Sequence, residues 1–106
     1  TEVETAVFRV LQEAINNIAR HAAARNVWIQ LSYNHQHLTV TVEDDGIGFE
    51  PDTVQVSPGN ARGLGLMGMR ERLELLGGEL EITSLPGQGT ELVITVPLNE
   101  RKLEIA

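Results

Sequence analysis

The sequence predicts an α+β fold: a two-layer α/β sandwich whose largely antiparallel, mixed sheet carries its helices on one face. Two observations point there. Apolar residues recur at three- and four-residue steps in two stretches, and they alternate in four shorter ones. The order is helix, hairpin, loop, helix, hairpin, within residues 1–106 read as one domain with a single core.

The first helix is expected over residues 2 to 23, where Val3, Val7, Val10, Leu11, Ala14, Ile15, Ile18 and Ala22 form an apolar face. Arg9, Gln12, Glu13, Asn16, Asn17, Arg20 and His21 lie opposite. Residues 26 to 33 alternate, with Val27, Ile29, Leu31 and Tyr33 on one side. A polar turn at Asn34–Gln36 leads into Leu38, Val40 and Val42, giving a hairpin with one buried and one wet face. No period survives from Phe49 to Arg62, and a loop of that length in so small a domain is usually functional or disordered. Leu66, Met69, Leu73 and Leu76 restore helical spacing until Gly77-Gly78 stops it. Leu80 and Ile82, a turn at Pro86–Gly89, then Leu92, Ile94 and Val96 make the second hairpin.

Composition excludes several functions. A net charge of −7 with one lysine and scattered arginines argues against nucleic acid, which needs clustered cations. Zero cysteines remove disulfides and thiolate metal sites, and the three histidines lack zinc-ligand spacing. With no bilayer-length apolar run, the expectation is a soluble domain without direct membrane contact.

Three stretches carry chemistry. In "VEDDGIGFEP", residues 42 to 51, strand parity sends Asp44 inward with Leu38, Val40 and Val42, while Glu43 and Asp45 face water. An inward carboxylate is costly unless satisfied. It either caps local backbone amides at a strand-end turn or serves as an acceptor at the floor of a cleft. In the second case Gly46 and Gly48 would let a flat ligand approach the backbone. Parity also turns Thr90 inward, with Leu92, Ile94 and Val96.

Glu13, Asn17 and His21 line one side of the first helix at i, i+4 and i+8. That stripe is either a solvated face or part of a magnesium–phosphate site. Mg²⁺ takes few protein oxygens, a role Asn17 suits, and Glu13 could orient or deprotonate a metal-shell water. Gly63-Leu64-Gly65 opens the second helix, where free amides and the helix dipole favour phosphate. Gly63, Gly65 and Gly68 also spell the dinucleotide fingerprint, but they follow a loop rather than a strand and no acid stands about twenty residues on.

Taken together, "QEAINNIARHA" (12–22) resembles an N box, "DDGIG" (44–48) a first glycine box and "GLGL" (63–66) a second. "GQGTELVITVP" (87–97) resembles the closing hairpin of the same fold. This is the Bergerat ATP-binding fold of gyrase-type ATPases and two-component histidine kinases, and the likeness spans about residues 5 to 98. Q-E-A-x-x-N-x-x-x-H with G-L-G-L-x-G-M-x-E-R resembles most closely the nitrate-sensor-like bacterial histidine kinases.

The resemblance implies that Asp44 accepts a hydrogen bond from the adenine amine, Thr90 assists through a water, and Gly46 and Gly48 line the base pocket. It places Mg²⁺ on Asn17, Glu13 near the metal waters and reacting γ-phosphate, and Arg20 and His21 close to phosphates. Gly63, Leu64, Gly65 and Leu66 become the phosphate-side wall, and residues 49 to 62 the ATP lid. The cofactors implied are ATP and Mg²⁺. The partners implied are the protein's own dimerisation and phospho-acceptor domain and a downstream response regulator, with the domain on the cytoplasmic side of a bacterial sensor kinase. The family's usual first strand and acceptor-histidine helix are missing from this stretch; His21 belongs to the N box and is not the acceptor. An anti-sigma-type serine kinase, a hydrolytic clamp and a degenerate nucleotide-binding regulator share the fold and stand as alternatives.

Overall fold

The computed structural model describes residues 2–50 and 61–98, with side chains from Val3 to Glu50 and from Gly65 to Leu98. Its elements are α1 (Glu2–His21), β1 (Val27–Tyr33), β2 (His37–Asp44), α2 (Ala61–Glu74), β3 (Glu79–Ser84) and β4 (Thr90–Pro97). The four strands form one sheet in the order β1-β2-β4-β3, every described pair antiparallel. Most of the expected lid, positions 51–60, lies outside the described residues, but Ala61 and Arg62 are already helical, so α2 starts two residues before the glycine run.

Helix α1 forms because its apolar positions return every three or four residues, and Arg20 and His21 in its last turn complement the negative end of the helix dipole. Val7, Val10, Ala14, Ile18 and Ala22 are buried as the periodicity predicts. They meet Leu66, Met69 and Leu73 of α2 and the inward rows Val40–Val42 and Leu92–Ile94–Val96 of the central strands. Ile15, expected on the same face, is instead 47% exposed.

The first hairpin departs from expectation. All seven residues of β1 are exposed, although they alternate as a half-buried strand should. The helices cover β2 and β4; beyond them Ile15, Ile18, Ala19, Ala23 and Ala24 face Val27 and Ile29 across an open groove of about 400 Å³. Polar contacts hold the ends of β1. At one end Asn34 Oδ1 accepts from the backbone N–H groups of Gln36 (2.7 Å) and His37 (2.8 Å), which sets the hairpin register. At the other, Asp45 Oδ1 accepts from the N–H groups of Arg25 and Asn26 while Oδ2 accepts from the Asn26 side-chain amide, each at 2.9 Å. The hydrogen bonds from Asn26, backbone first and side chain next, hold the Asp45 carboxyl below its ordinary value of 3.8.

Candidate functional site

The register aligns one inward row across the rim of the sheet: Val27, Asp44, Thr90 and Ser84. The next row down is Ile29, Val42, Leu92 and Ile82, so polarity in the layer facing the helices is concentrated where β2 ends and β4 begins. Asp44 and Thr90, the two groups parity turned inward, are only 4% and 7% exposed. They line a cavity of about 10 Å³ with Asn17, Ala14 and Ile18 of α1, Phe49, and Leu66 of α2. That volume suits about one water molecule.

Asp44 caps the end of its strand and also lines this cavity. Its Oδ1 accepts from the Gly46 N–H at 2.8 Å, a strand-end cap. Among the described residues no donor reaches its other oxygen, so half the carboxylate remains for a further partner.

The glycines after it act differently from the expectation. A Cβ on Gly46 would collide with the Ala22 carbonyl, and one on Gly48, whose φ is +65°, with that of Leu85. They admit neighbouring backbone, and neither is a wall of the cavity. Hydrogen bonds then lace this stretch down: Ile47 N–H to Ala22 O (2.8 Å) and Gly87 N–H to Ile47 O (2.6 Å).

On α1, Asn17 is 7% exposed, and its Oδ1 is the one buried side-chain polar atom without a hydrogen-bond partner among the described residues. An orphaned acceptor costs about 1–3 kcal/mol, which a bound donor or cation would relieve. A neutral amide oxygen is also a donor type that Mg²⁺ accepts, so this atom fits the ion. Helix α2 arrives beside it: a Cβ on Gly65 would stand 2.9 Å from Glu13 Oε1 and 3.3 Å from Asn17 Nδ2, so the glycine lets the α2 backbone reach both tips. Gly63 and Leu64 fall in the same opening stretch of α2. Leu66 is buried in the cavity wall. Arg20 is exposed and His21 half-buried; neither lines the cavity.

One member of the polar row was not anticipated. Ser84, 6% exposed, accepts from the Phe49 N–H at 2.9 Å and lies 2.9 Å from Gly89 O and 2.8 Å from Thr90 Oγ1. Parity could have found it, since Ser84 follows Leu80 and Ile82 on the inward side of β3.

Comparison with known proteins identifies the family. Residues 2–100 match the family described as histidine kinase-, DNA gyrase B-, and HSP90-like ATPase. A sensor-like histidine kinase of Chloroflexus aurantiacus is 40% identical over 99 residues, covering 92% of this chain and 17% of that protein. The sensor histidine kinase LiaS of Bacillus subtilis is 38% identical over 96 residues, 91% of this chain and 25% of its own length. The chain thus spans between 17% and 25% of the length of these curated relatives. Among solved structures, the histidine kinase domain of a blue-light-activated kinase from Erythrobacter litoralis superposes with a TM-score of 0.71 at 28% identity, covering 96% of this chain and 48% of that one. Acinetobacter baumannii AdeS, at 20% identity and a TM-score of 0.70 over 90% of this chain and 47% of its own, shares the fold. With an inward acid at the sheet rim, an asparagine across from it and a family match over nearly its whole length, the chain belongs to the histidine kinase-, DNA gyrase B- and HSP90-like ATPases.

Proposed function

We propose that this domain binds Mg²⁺-ATP and donates the γ-phosphate to a histidine on a separate dimerisation and phospho-acceptor domain, feeding a response regulator in two-component signalling. The observation that carries the reading is the divided Asp44 carboxylate, with one oxygen capping Gly46 and the other left for a ligand beside Thr90. An acceptor pair at that place suits the exocyclic amine of adenine. A nucleotide-sized site needs about 300 Å³ or more, so Phe49 and Leu66, which close the cavity, swing aside as the base enters.

Asn17 Oδ1 would be the protein oxygen for Mg²⁺, and Glu13, one turn before it on α1 and likewise beside Gly65 of α2, would lie near the metal's waters and the reacting phosphate. Bound magnesium would neutralise charge on the phosphates, the main demand of phosphoryl transfer. The first turn of α2, with Gly63, offers free backbone amides to the phosphate chain, Leu64, Gly65 and Leu66 form the wall behind it, and Arg20 supplies positive charge at the end of α1 with His21 beside it.

The test is calorimetric titration of the chain with ATP and GTP, with and without Mg²⁺. ATP binding and its absence with GTP is the expected result. Asp44→Asn retains an oxygen to cap Gly46, so the fold should melt as before while ATP affinity falls by about 30-fold or more. Unchanged affinity would reject the adenine role. Asn17→Ala should leave ATP binding indifferent to magnesium; a preserved magnesium effect would move the metal elsewhere.

A further inference from the structure

We propose that Ser84 is a positioning residue that sets the base selectivity of the site by taking up the hydroxyl proton of Thr90. The inference rests on the ATP reading above for its ligand, but the hydroxyl arrangement follows from hydrogen-bond bookkeeping alone.

Ser84 Oγ carries one proton and two lone pairs. Three groups surround it: the Phe49 N–H at 2.9 Å, the Gly89 carbonyl at 2.9 Å and the Thr90 hydroxyl at 2.8 Å. The amide can only donate, so it takes one lone pair. The carbonyl can only accept, so it requires the Ser84 proton; were that proton turned to Thr90 instead, two oxygens would face each other 2.9 Å apart with nothing between them. The Thr90 hydroxyl must therefore donate into the remaining lone pair of Ser84. Every valence of Ser84 is used, and the burial of both side chains leaves water little room to substitute.

The consequence reaches the cavity. With its proton committed, Thr90 presents only lone pairs to a ligand, beside the free oxygen of Asp44. The rim then offers acceptors and no side-chain donor from this pair. A purine with an amine at its 6-position meets partners there, whereas one with a carbonyl meets oxygen against oxygen. Ser84 touches no base in this scheme; it acts through Thr90.

The experiment compares ATP with ITP, which differs from it only in the 6-position and the adjoining ring proton, on wild type, Ser84→Ala and Ser84→Thr. In Ser84→Ala the freed Thr90 proton can turn to the carbonyl, so the ratio of ATP to ITP affinity should fall roughly five- to tenfold, one ordinary hydrogen bond. Ser84→Thr keeps the hydroxyl and should restore the ratio. A merely structural role would weaken both nucleotides together and leave the ratio unmoved, which would overturn the proposal. If the alanine variant does not fold, Ser84→Cys replaces it, since sulfur is a poor acceptor and should shift the ratio the same way. A ligand-free arm separates this idea from the ATP assignment. In the NMR spectrum of wild type, a slowly exchanging Thr90 hydroxyl proton should show a cross-peak to the Ser84 β-protons and vanish in the variant. Its absence from wild type sinks the hydroxyl assignment; its presence in a chain that binds neither triphosphate sinks only the nucleotide reading.

Discussion

Strands β1 and β4 carry the same alternating pattern and end up in opposite situations. Leu31 and Ile94 lie on one row of the sheet, separated only by Val40. Ile94 has no exposed surface, whereas Leu31 is 53% exposed. Alternation decides which way a side chain points; it does not decide whether anything stands above it. The helices cover the centre of the sheet, and β1, at the edge, stays exposed, with Val27 and Ile29 facing an open groove. An uncovered edge strand must be held by something other than burial, and here polar contacts at its two ends do so, through Asn34 and Asp45.

The sharpest way to break this contrast is a pair of truncations on that single row. Ile94→Ala should cost about 2–5 kcal/mol in denaturant unfolding, as deletion from a packed core does. Leu31→Ala should cost less than about 1 kcal/mol, because most of its surface already meets solvent. Equal losses would mean that the β1 row is covered in solution.

A smaller effect tests how the strand is anchored. The folded Asp45 carboxyl titrates below 3.8, so its contribution to stability is complete above that value and fades as pH falls through the lower folded one. The difference in melting temperature between wild type and Asp45→Asn should therefore be present at neutral pH and close on acidification below about 3.8. A gap that persists at lower pH would assign the anchor to shape rather than charge.

Much of the molecule was legible in the sequence, for identifiable reasons. Helical spacing gave both helices and their buried faces, because a 3.6-residue period leaves few alternatives. Parity placed Asp44 and Thr90 inward, because a strand offers only two sides. Ile15 and β1 were misjudged because cover is a property of the assembled layers. The glycines at 46 and 48 stand where a side chain would meet the Ala22 and Leu85 carbonyls, neighbours that no local pattern reveals. Asp45 was assigned to water, which is true of its exposure, but its partners at Arg25 and Asn26 are distant in sequence. Parity also turns Ser84 inward after Leu80 and Ile82, but its pairing with Thr90 shows only when the strands are read across one row.

The turn between β3 and β4 has an evolutionary corollary. Residues 85–89 are fastened to the stretch after Asp44 through Gly87 and Ile47, and flanked by Ser84 and Thr90. Lengthening that connection by one residue would slide either hydroxyl out of alignment and unfasten the neighbouring segment together with it. Insertions and deletions accumulated by diverging lineages should thus avoid this corner and collect instead at the exposed 34–36 bend, where a longer excursion displaces no group of the cleft.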